Sequence, residues 1–230
     1  QNPVLATECG FDSLHRHHFP RDGGDRWAVR RSSSLQTDSP LVANRVLLMK
    51  FCSACGQPVT VKIPEGDHLP RFVCTACDTI HYQNPRIIAG CVIDVDGKLL
   101  LCKRAIEPRL GYWTIPAGFM ENGESVQAAA AREAIEEALA QVEIGSLLAV
   151  VSVVHANQVH IMFRARLVNP TFGVGPESLE TALYEEHEIP WSEIAFLSVE
   201  FALRRYLEDR REGRERVHIT DIDLRSKNSP

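Results

Sequence analysis

The sequence predicts an α/β domain preceded by a small β ribbon closed on a metal ion. Three observations lead there. Two Cys-x-x-Cys pairs occur at Cys52/Cys55 and Cys74/Cys77; two apolar runs meet at Asp96-Gly97; and a segment rich in Ala and Glu, free of Gly and Pro, begins at Ser125. The background composition is ordinary. The 230 residues are 44% hydrophobic and 24% charged, a mixture typical of globular chains and enough for one or two domains at roughly 150 residues each. No apolar run approaches the roughly 18 residues of a membrane-spanning helix, so no membrane partner is expected. Thirty acids against 25 Lys and Arg leave a net charge of −5, which disfavours nucleic acid as a partner because that affinity rests on clustered basic charge.

Residues 1–48 lack any sustained apolar period, and Gly23-Gly24, Ser32-Ser33-Ser34 and Ser39-Pro40 interrupt them. They predict a disordered extension, with His15-Arg16-His17-His18 as a solvated run. Glu8, Asp12, Asp22, Asp25 and Asp38 weaken a reading as an organellar leader. The expected location is therefore cytoplasmic, with organellar targeting left open. Met49 stands three residues before Cys52, and the functional protein is expected to begin there.

Residues 49–86 form the expected ribbon. Positions 56 to 73 place eighteen residues between the two cysteine pairs, the spacing of a zinc ribbon in which two turns supply two thiolates each. Disulfides are the alternative. The odd total of seven cysteines, with Cys91 and Cys102 alone in strand-like runs, argues for a reducing compartment and for zinc. Four thiolates leave no position for water, so this Zn²⁺ is expected to be structural. A strand over Pro58–Ile63, a turn at Pro64-Glu65-Gly66-Asp67 and a return over Arg71–Val73 complete the unit. Lys50, Lys62, Arg71 and Arg86 against Glu65, Asp67 and Asp78 leave a net of only +1, which weighs against a nucleic-acid-binding ribbon.

Residues 87–220 form the expected α/β domain. Asp96-Gly97 joins Ile87–Val95 to Leu99–Lys103 as a hairpin. Ser125 to about Leu139 reads as a helix. At 100° per residue with Glu133 at zero, Glu136 falls at about −60° and Glu137 at about +40°. Ala134, Ala138, Ala131, Ile135, Ala128 and Leu139 span about 100° to 240°, so a small packing face is expected opposite an acid face. Like charges so spaced repel by ~0.2–0.5 kcal/mol per pair. A solvated acidic face is one explanation, and hard oxygen ligands for Mg²⁺ are the other. Beyond the helix, Ile161–Val168 reads as a strand, with His155 and His160 bracketing a turn at Asn157-Gln158 as structural histidines. Val199–Glu212 reads as a packing helix closed by Gly213, and residues 221–230 as a tail.

The residues around the acids favour the metal. From Gly118, five positions lead to Glu124 and seven more to Arg132, followed by Glu133, Glu136 and Glu137. This resembles the Nudix box, G-x5-E-x7-R-E-U-x-E-E-x-G-U, at every charged position and the first glycine. Ala134 and Ala140 replace its bulky aliphatics, and Leu139 replaces its second glycine. That glycine marks a left-handed helix exit, so Leu139 is expected to extend the helix instead. The ribbon, His81-Tyr82-Gln83-Asn84-Pro85, the box and Gly175-Pro176-Glu177-Ser178-Leu179-Glu180 together are similar to the zinc-ribbon-bearing Nudix hydrolases, which include FAD and NADH pyrophosphatases.

The resemblance implies an α/β/α sandwich with a mixed sheet. It also implies Mg²⁺- or Mn²⁺-dependent hydrolysis of the pyrophosphate in a nucleoside diphosphate linked to another group, a small nucleotide being the partner. FAD and ADP-ribose are the favoured substrates. NADH ranks lower, because the Pro-rich aromatic tail of NADH pyrophosphatases is not evident. Glu133, Glu136, Glu137 and the Ala117 carbonyl would ligate the metal, and Gly118, Glu124 and Arg132 would shape the loop. Glu180 or Glu177 would serve as a loop base, and Tyr112 and Trp113 as a stacking surface. A homodimer is left open. The contrasting alternative is a ribbon-led nucleic-acid or protein-binding module on a non-catalytic scaffold, against which the intact acid face argues.

Overall fold

The computed structural model describes residues 49–225. The extension expected over residues 1–48 lies outside the described residues. No helix among the described residues is long and apolar enough to cross a membrane.

The ribbon is a three-stranded antiparallel sheet of β1 (Val59–Lys62), β2 (Arg71–Cys74) and β3 (Ile80–His81). β1 and β2 occupy the segments expected from the sequence, in register from Val59↔Cys74 to Lys62↔Arg71. Its exposed Val61 and Ile63 leave little apolar core. A unit this small needs a staple.

The main sheet is mixed. Its strands are β4 (Arg86–Val95), β5 (Lys98–Arg104), β6 (Trp113–Thr114), β7 (Ala117–Phe119), β8 (Val142–Val153), β9 (Gln158–Leu167), β10 (Ser178–Tyr184) and β11 (His218–Ile222). The order is β10-β5-β4-β9-β8-β11, with β6 on β5 and β7 on β4. β4 runs parallel to β9 and β11 parallel to β8. Asp96 and Gly97 take the paired positive φ values of a tight hairpin turn.

Two helices cover the sheet, α1 (Val126–Ala138) and α2 (Leu197–Glu212). Alternation along the strands sorts the core: Cys91, Ile93, Leu100 and Cys102 pack with the alanines of α1. Val92, Leu99 and Leu101 pack with Val199, Leu203 and Leu207 of α2. The expected α/β/α sandwich follows from this period of two.

Three expectations need correction. The packing face of α1 is not opposite its acids: Ala129, Ala130, Ala134 and Ala138 are buried together with Glu133 and Glu137, while Ala128, Ile135 and Leu139 are exposed. The buried arc is shifted because the two acids point inward, into a cavity. Leu139 does not extend the helix. It takes φ 48°, ψ 28°; its amide donates to the Ile135 carbonyl at 2.9 Å and the Ala140 amide to the Ala134 carbonyl at 3.0 Å, the left-handed cap usually given to glycine. Finally, residues 221–230 are not simply a tail, because β11 continues to Ile222 beside β8.

The end of α2 holds that last strand. Asp209, 2% exposed, accepts hydrogen bonds from Arg164, from the Arg216 Nε at 2.8 Å and from His218 Nε2 at 3.0 Å. Burial alone would raise its carboxyl, but the bonds from His218 and Arg216 overcome this and hold it at about 2.

Asp209→Ala should cost about 3–5 kcal/mol in denaturant titrations, since Arg164 is left buried and unpaired. Acid should act in the same direction: the Asp209 contribution is complete above pH 3.8 and is lost as pH falls through about 2. Leu139→Gly should leave stability unchanged or raise it by up to ~1 kcal/mol through relief of the left-handed strain.

Candidate active site

α1 begins at Ser125, whose Oγ accepts from the Ala128 amide at 3.1 Å. Ahead of it, Glu124 accepts from the Glu121 amide at 2.6 Å and binds Arg132 through Nε at 3.1 Å and Nη2 at 2.9 Å. The Arg132 guanidinium also reaches Glu133 and Glu136, each at 2.8 Å, and the Phe119 carbonyl at 3.1 Å. Arg132 thus ties helix to loop. Its bond to Glu124, ahead of those to Glu133 and Glu136, strengthens its hold on its proton.

Strand β7 brings the backbone to the acids. Its pairing with β4 sets Gly90 opposite Ala117 and Ala89 opposite Gly118. Cys91 donates to the Pro116 carbonyl and Met120 to the Ile87 carbonyl. In this antiparallel pattern the Gly90–Ala117 pair is non-hydrogen-bonded, so the Ala117 N–H and C=O both turn away from β4. The N–H meets Glu137 Oε2 at 3.2 Å. Gly118 leaves room for the Glu133 carboxylate: a Cβ there would lie 2.3–2.5 Å from it and would push it aside.

The far end of α1 is tied to a loop. Gly173 donates to the Ala138 carbonyl at 2.7 Å, and Gly175 to the Glu137 carbonyl at 3.1 Å. Ser178 Oγ donates to the same Glu137 carbonyl at 2.7 Å. A Cβ at Gly175 would sit 1.8 Å from the Glu136 carbonyl oxygen. This close approach caps the last helical turn and delivers Glu177 to the acids.

These elements enclose a cavity of about 1100 Å³ lined by Glu133, Glu136, Glu137, Arg132, Ala117, Gly118 and Glu177. Glu137 is 6% exposed. Burial, opposed by the Ala117 amide and reinforced by the charge on Glu133, pushes its carboxyl up to about 8. Burial also raises Glu133, against its bond to Arg132. Two buried carboxylates with one arginine and one amide between them are short of positive charge. Their hard oxygens suit a divalent cation.

Some expected residues lie elsewhere. Glu180 is on β10 rather than in the loop, 3.7 Å from Lys103, and does not line the cavity. The loop acid that does is Glu177. Trp113 is 4% exposed in the core, edge-on to Tyr184 at 5.1 Å between centroids. Tyr112 lies against Arg109. Neither ring lines the cavity, because a side chain at the end of β6 continues the core alternation.

The aromatics that do line it are Phe119 and Phe196, each with one face covered by an arginine, Arg86 at 4.5 Å and Arg104 at 5.1 Å. Arg104 and Arg109 also line the cavity, and neither was singled out from the sequence. Their signal was two arginines five residues apart, one closing β5 and the other following Pro108. His160 and His155, read as structural, are cavity residues too.

In the ribbon, Cys52, Cys55, Cys74 and Cys77 bring their Sγ atoms within 4.8 Å of one another. Cys52–Cys77 is 3.7 Å and Cys55–Cys74 is 3.4 Å. All four are free thiols. A tetrahedral Zn²⁺ with Zn–S of about 2.3 Å needs sulfurs about 3.8 Å apart, which this cluster provides.

The family model for the Nudix N-terminal zinc ribbon matches residues 50–83, and that for the NUDIX domain matches residues 84–209. The crystal structure of a NUDIX hydrolase from Nitrosomonas europaea is 53% identical with a TM-score of 0.74, covering 76% of this chain and 99% of that one. An ADP-ribose pyrophosphatase from Methanocaldococcus jannaschii is 29% identical over 113 residues, 47% of this chain and 67% of that protein. An NAD-capped RNA hydrolase from Stutzerimonas stutzeri is 32% identical over 124 residues, 50% of this chain. The match spans only 43% of that relative's length.

One zinc per chain is expected by elemental analysis. Cys55→Ser should release it and raise protease sensitivity within residues 49–86, since structural zinc carries folding energy in small modules. A zinc-free protein with paired, oxidised cysteines would contradict this.

Proposed function

This chain belongs to the Nudix hydrolase family, and from that premise we propose that it hydrolyses the pyrophosphate bond of a nucleoside diphosphate linked to a second group. ADP-ribose and FAD are the favoured substrates, with NADH as a further candidate. The carrying observation is the burial of Glu133 and Glu137 side by side in a cavity that also presents Arg104, Arg109 and Arg132. The M. jannaschii relative, by its name, acts on ADP-ribose. The name of the S. stutzeri relative points to a second reading, a nucleotide-capped RNA. The net charge of −5 places that reading behind small nucleotides.

Family members use divalent metals. In this chain Glu133 and Glu137 would hold Mg²⁺ or Mn²⁺, with Glu136 assisting and the Ala117 carbonyl adding a neutral ligand. When bound, such an ion neutralises phosphate charge and makes a bound water nucleophilic near neutral pH. The protein's own groups do the rest. Arg104 and Arg109 meet the diphosphate oxygens and fix its orientation. Arg132 and Glu124 keep β7 and α1 in register, so that the acids face the scissile bond.

Glu177 takes the proton of the attacking water. The water oxygen bonds to phosphorus, the bridging P–O bond breaks, and the leaving phosphate departs with the bond's electron pair. Two phosphate monoesters result. The ribbon zinc is structural and stands apart from bond cleavage.

Glu137→Gln should lower turnover of ADP-ribose or FAD by orders of magnitude with the fold intact by circular dichroism, because a neutral amide is a poorer ligand for a hard cation. Glu107→Gln, outside the cavity, should have little effect. The products should be two monophosphates, identified by mass. A wild-type chain that cleaves no member of a panel of FAD, NADH, ADP-ribose, nucleoside triphosphates and capped RNA would refute the reading.

A further inference from the structure

Sheet edges carry unpaired backbone donors and acceptors, which proteins blunt with Pro, Lys, bulges or brevity. In the ribbon, β1 lies between Pro58 and Pro64 and ends at Lys62, and β3 has two residues. In the main sheet, β11 has five. β10 is different. It runs for seven residues, Ser178–Tyr184, holds neither Pro nor Lys, and has no strand on its outer side among the described residues. Its register shift falls between Ser178 and Glu180, which leaves Glu180–Tyr184 as a regular run with an open edge.

The neighbouring strand fixes which groups that edge offers. The Arg104 amide donates to the Tyr112 carbonyl at 2.9 Å, and the Gly111 amide to the Arg104 carbonyl at 2.9 Å, so the Arg104 backbone turns toward β6. Alternate residues of a strand turn their backbone groups opposite ways, and Lys103, Leu101 and Leu99 therefore turn toward β10. Their register partners are Glu180, Ala182 and Tyr184, whose backbone groups are spent on β5. The N–H and C=O of Thr181 and Leu183 point outward. The side chains leave that edge clear: Leu183 packs against the core on the α1 side, and Ala182 and Tyr184 against the core on the α2 side.

We infer that a second copy of this chain adds its own β10 there, antiparallel, and joins the two sheets into one across a two-fold axis at Ala182. Two features select this occupant and this register. Ala182 is the centre of Glu180–Tyr184, so the pairing uses the whole regular run and leaves the bulge outside it. Thr181 and the partner's Leu183 then exchange backbone hydrogen bonds, and so do Leu183 and the partner's Thr181. The charges agree as well. Glu180 meets the partner's Tyr184. A centre at Leu183 would set it against the partner's Glu186, and a centre at Glu180 against its own copy; like charges directly opposite destabilise a sheet. The interface is continuous with the support of the buried acids, because β10 begins at Ser178, whose hydroxyl donates to the Glu137 carbonyl at 2.7 Å.

Sedimentation equilibrium of the full chain should give twice its own mass. Thr181→Pro removes an outward N–H and spares the bonds to β5, so it should raise the dimer dissociation constant at least a hundredfold. Ala182→Cys tests the register without relying on that variant. At the axis the two copies form a non-hydrogen-bonded pair with Cα atoms about 4.5 Å apart, within reach of a disulfide. Diamide should therefore link two chains through residue 182, identified by mass in the digested product. Thr181→Cys should not link, because its two copies sit diagonally at about 7–8 Å. A chain that sediments as a monomer, a dimer unmoved by Thr181→Pro, or a link through Thr181→Cys and not through Ala182→Cys overturns the proposal. Each of these outcomes leaves the pyrophosphatase reading standing.

Discussion

Two carboxylates packed against the backbone of a short strand organise this molecule. Glu133 and Glu137 are almost wholly buried against Ala117 and Gly118. Burial there pushes the Glu137 carboxyl up to about 8, so it is held against ionisation near neutral pH. Much of the surrounding sequence serves that arrangement. Gly118 has no side chain because the Glu133 carboxylate occupies its place. Ala129, Ala130, Ala134 and Ala138 are small so that α1 can lie close to β4, whose own Ala89 and Cys91 are small in turn. Arg132 offsets part of the charge and ties the loop before the helix to its middle. Gly173, Gly175 and Ser178 consume the last helical carbonyls, which brings Glu177 to the same cavity.

The ribbon solves a different problem with the same economy of side chains. Phe51, Val61, Ile63 and Leu69 are exposed, and its few buried residues include Cys52, Val73 and Cys74. Four thiolates converging on one point replace the core that so few residues cannot build. The two candidate metal sites therefore differ in kind. The ribbon sulfurs form a closed set suited to structure, whereas the carboxylates lie open to a cavity suited to exchange with a substrate.

The parts of this design that were legible in the sequence depend on local chemistry. Cysteine spacing, the Asp96-Gly97 turn, the Gly/Pro-free helix and the positions of Glu124, Arg132, Glu133, Glu136 and Glu137 all read directly. What misled was tertiary. Helical angles set the acids opposite an expected packing face, but could not show that burial would follow Glu133 and Glu137 toward the cavity and leave Ala128, Ile135 and Leu139 outside. Leu139 was expected to avoid the left-handed region. It accepts that conformation because its amide and that of Ala140 satisfy the carbonyls of Ile135 and Ala134, and its side chain lies against Gly173. Trp113 and Tyr112 suggested a stacking surface, yet the end of β6 turns the indole into the core. Glu180 and Glu177 were both candidates for a loop base, but only Glu177 lines the cavity, since Glu180 lies on β10 past the register shift that follows Ser178. The contribution of β11 to the cavity depends on a parallel pairing with β8, which no local pattern announces.

The central claim is that the Glu133–Glu137 pair is built to hold a divalent cation. The most direct test is to titrate metal-free protein with Mn²⁺ and count the free ion by its electron paramagnetic resonance signal. The account predicts saturable binding to the wild-type chain, weakened at least tenfold by Glu137→Gln and unaffected by Glu180→Gln. Equal Mn²⁺ binding by wild type and Glu137→Gln would contradict it.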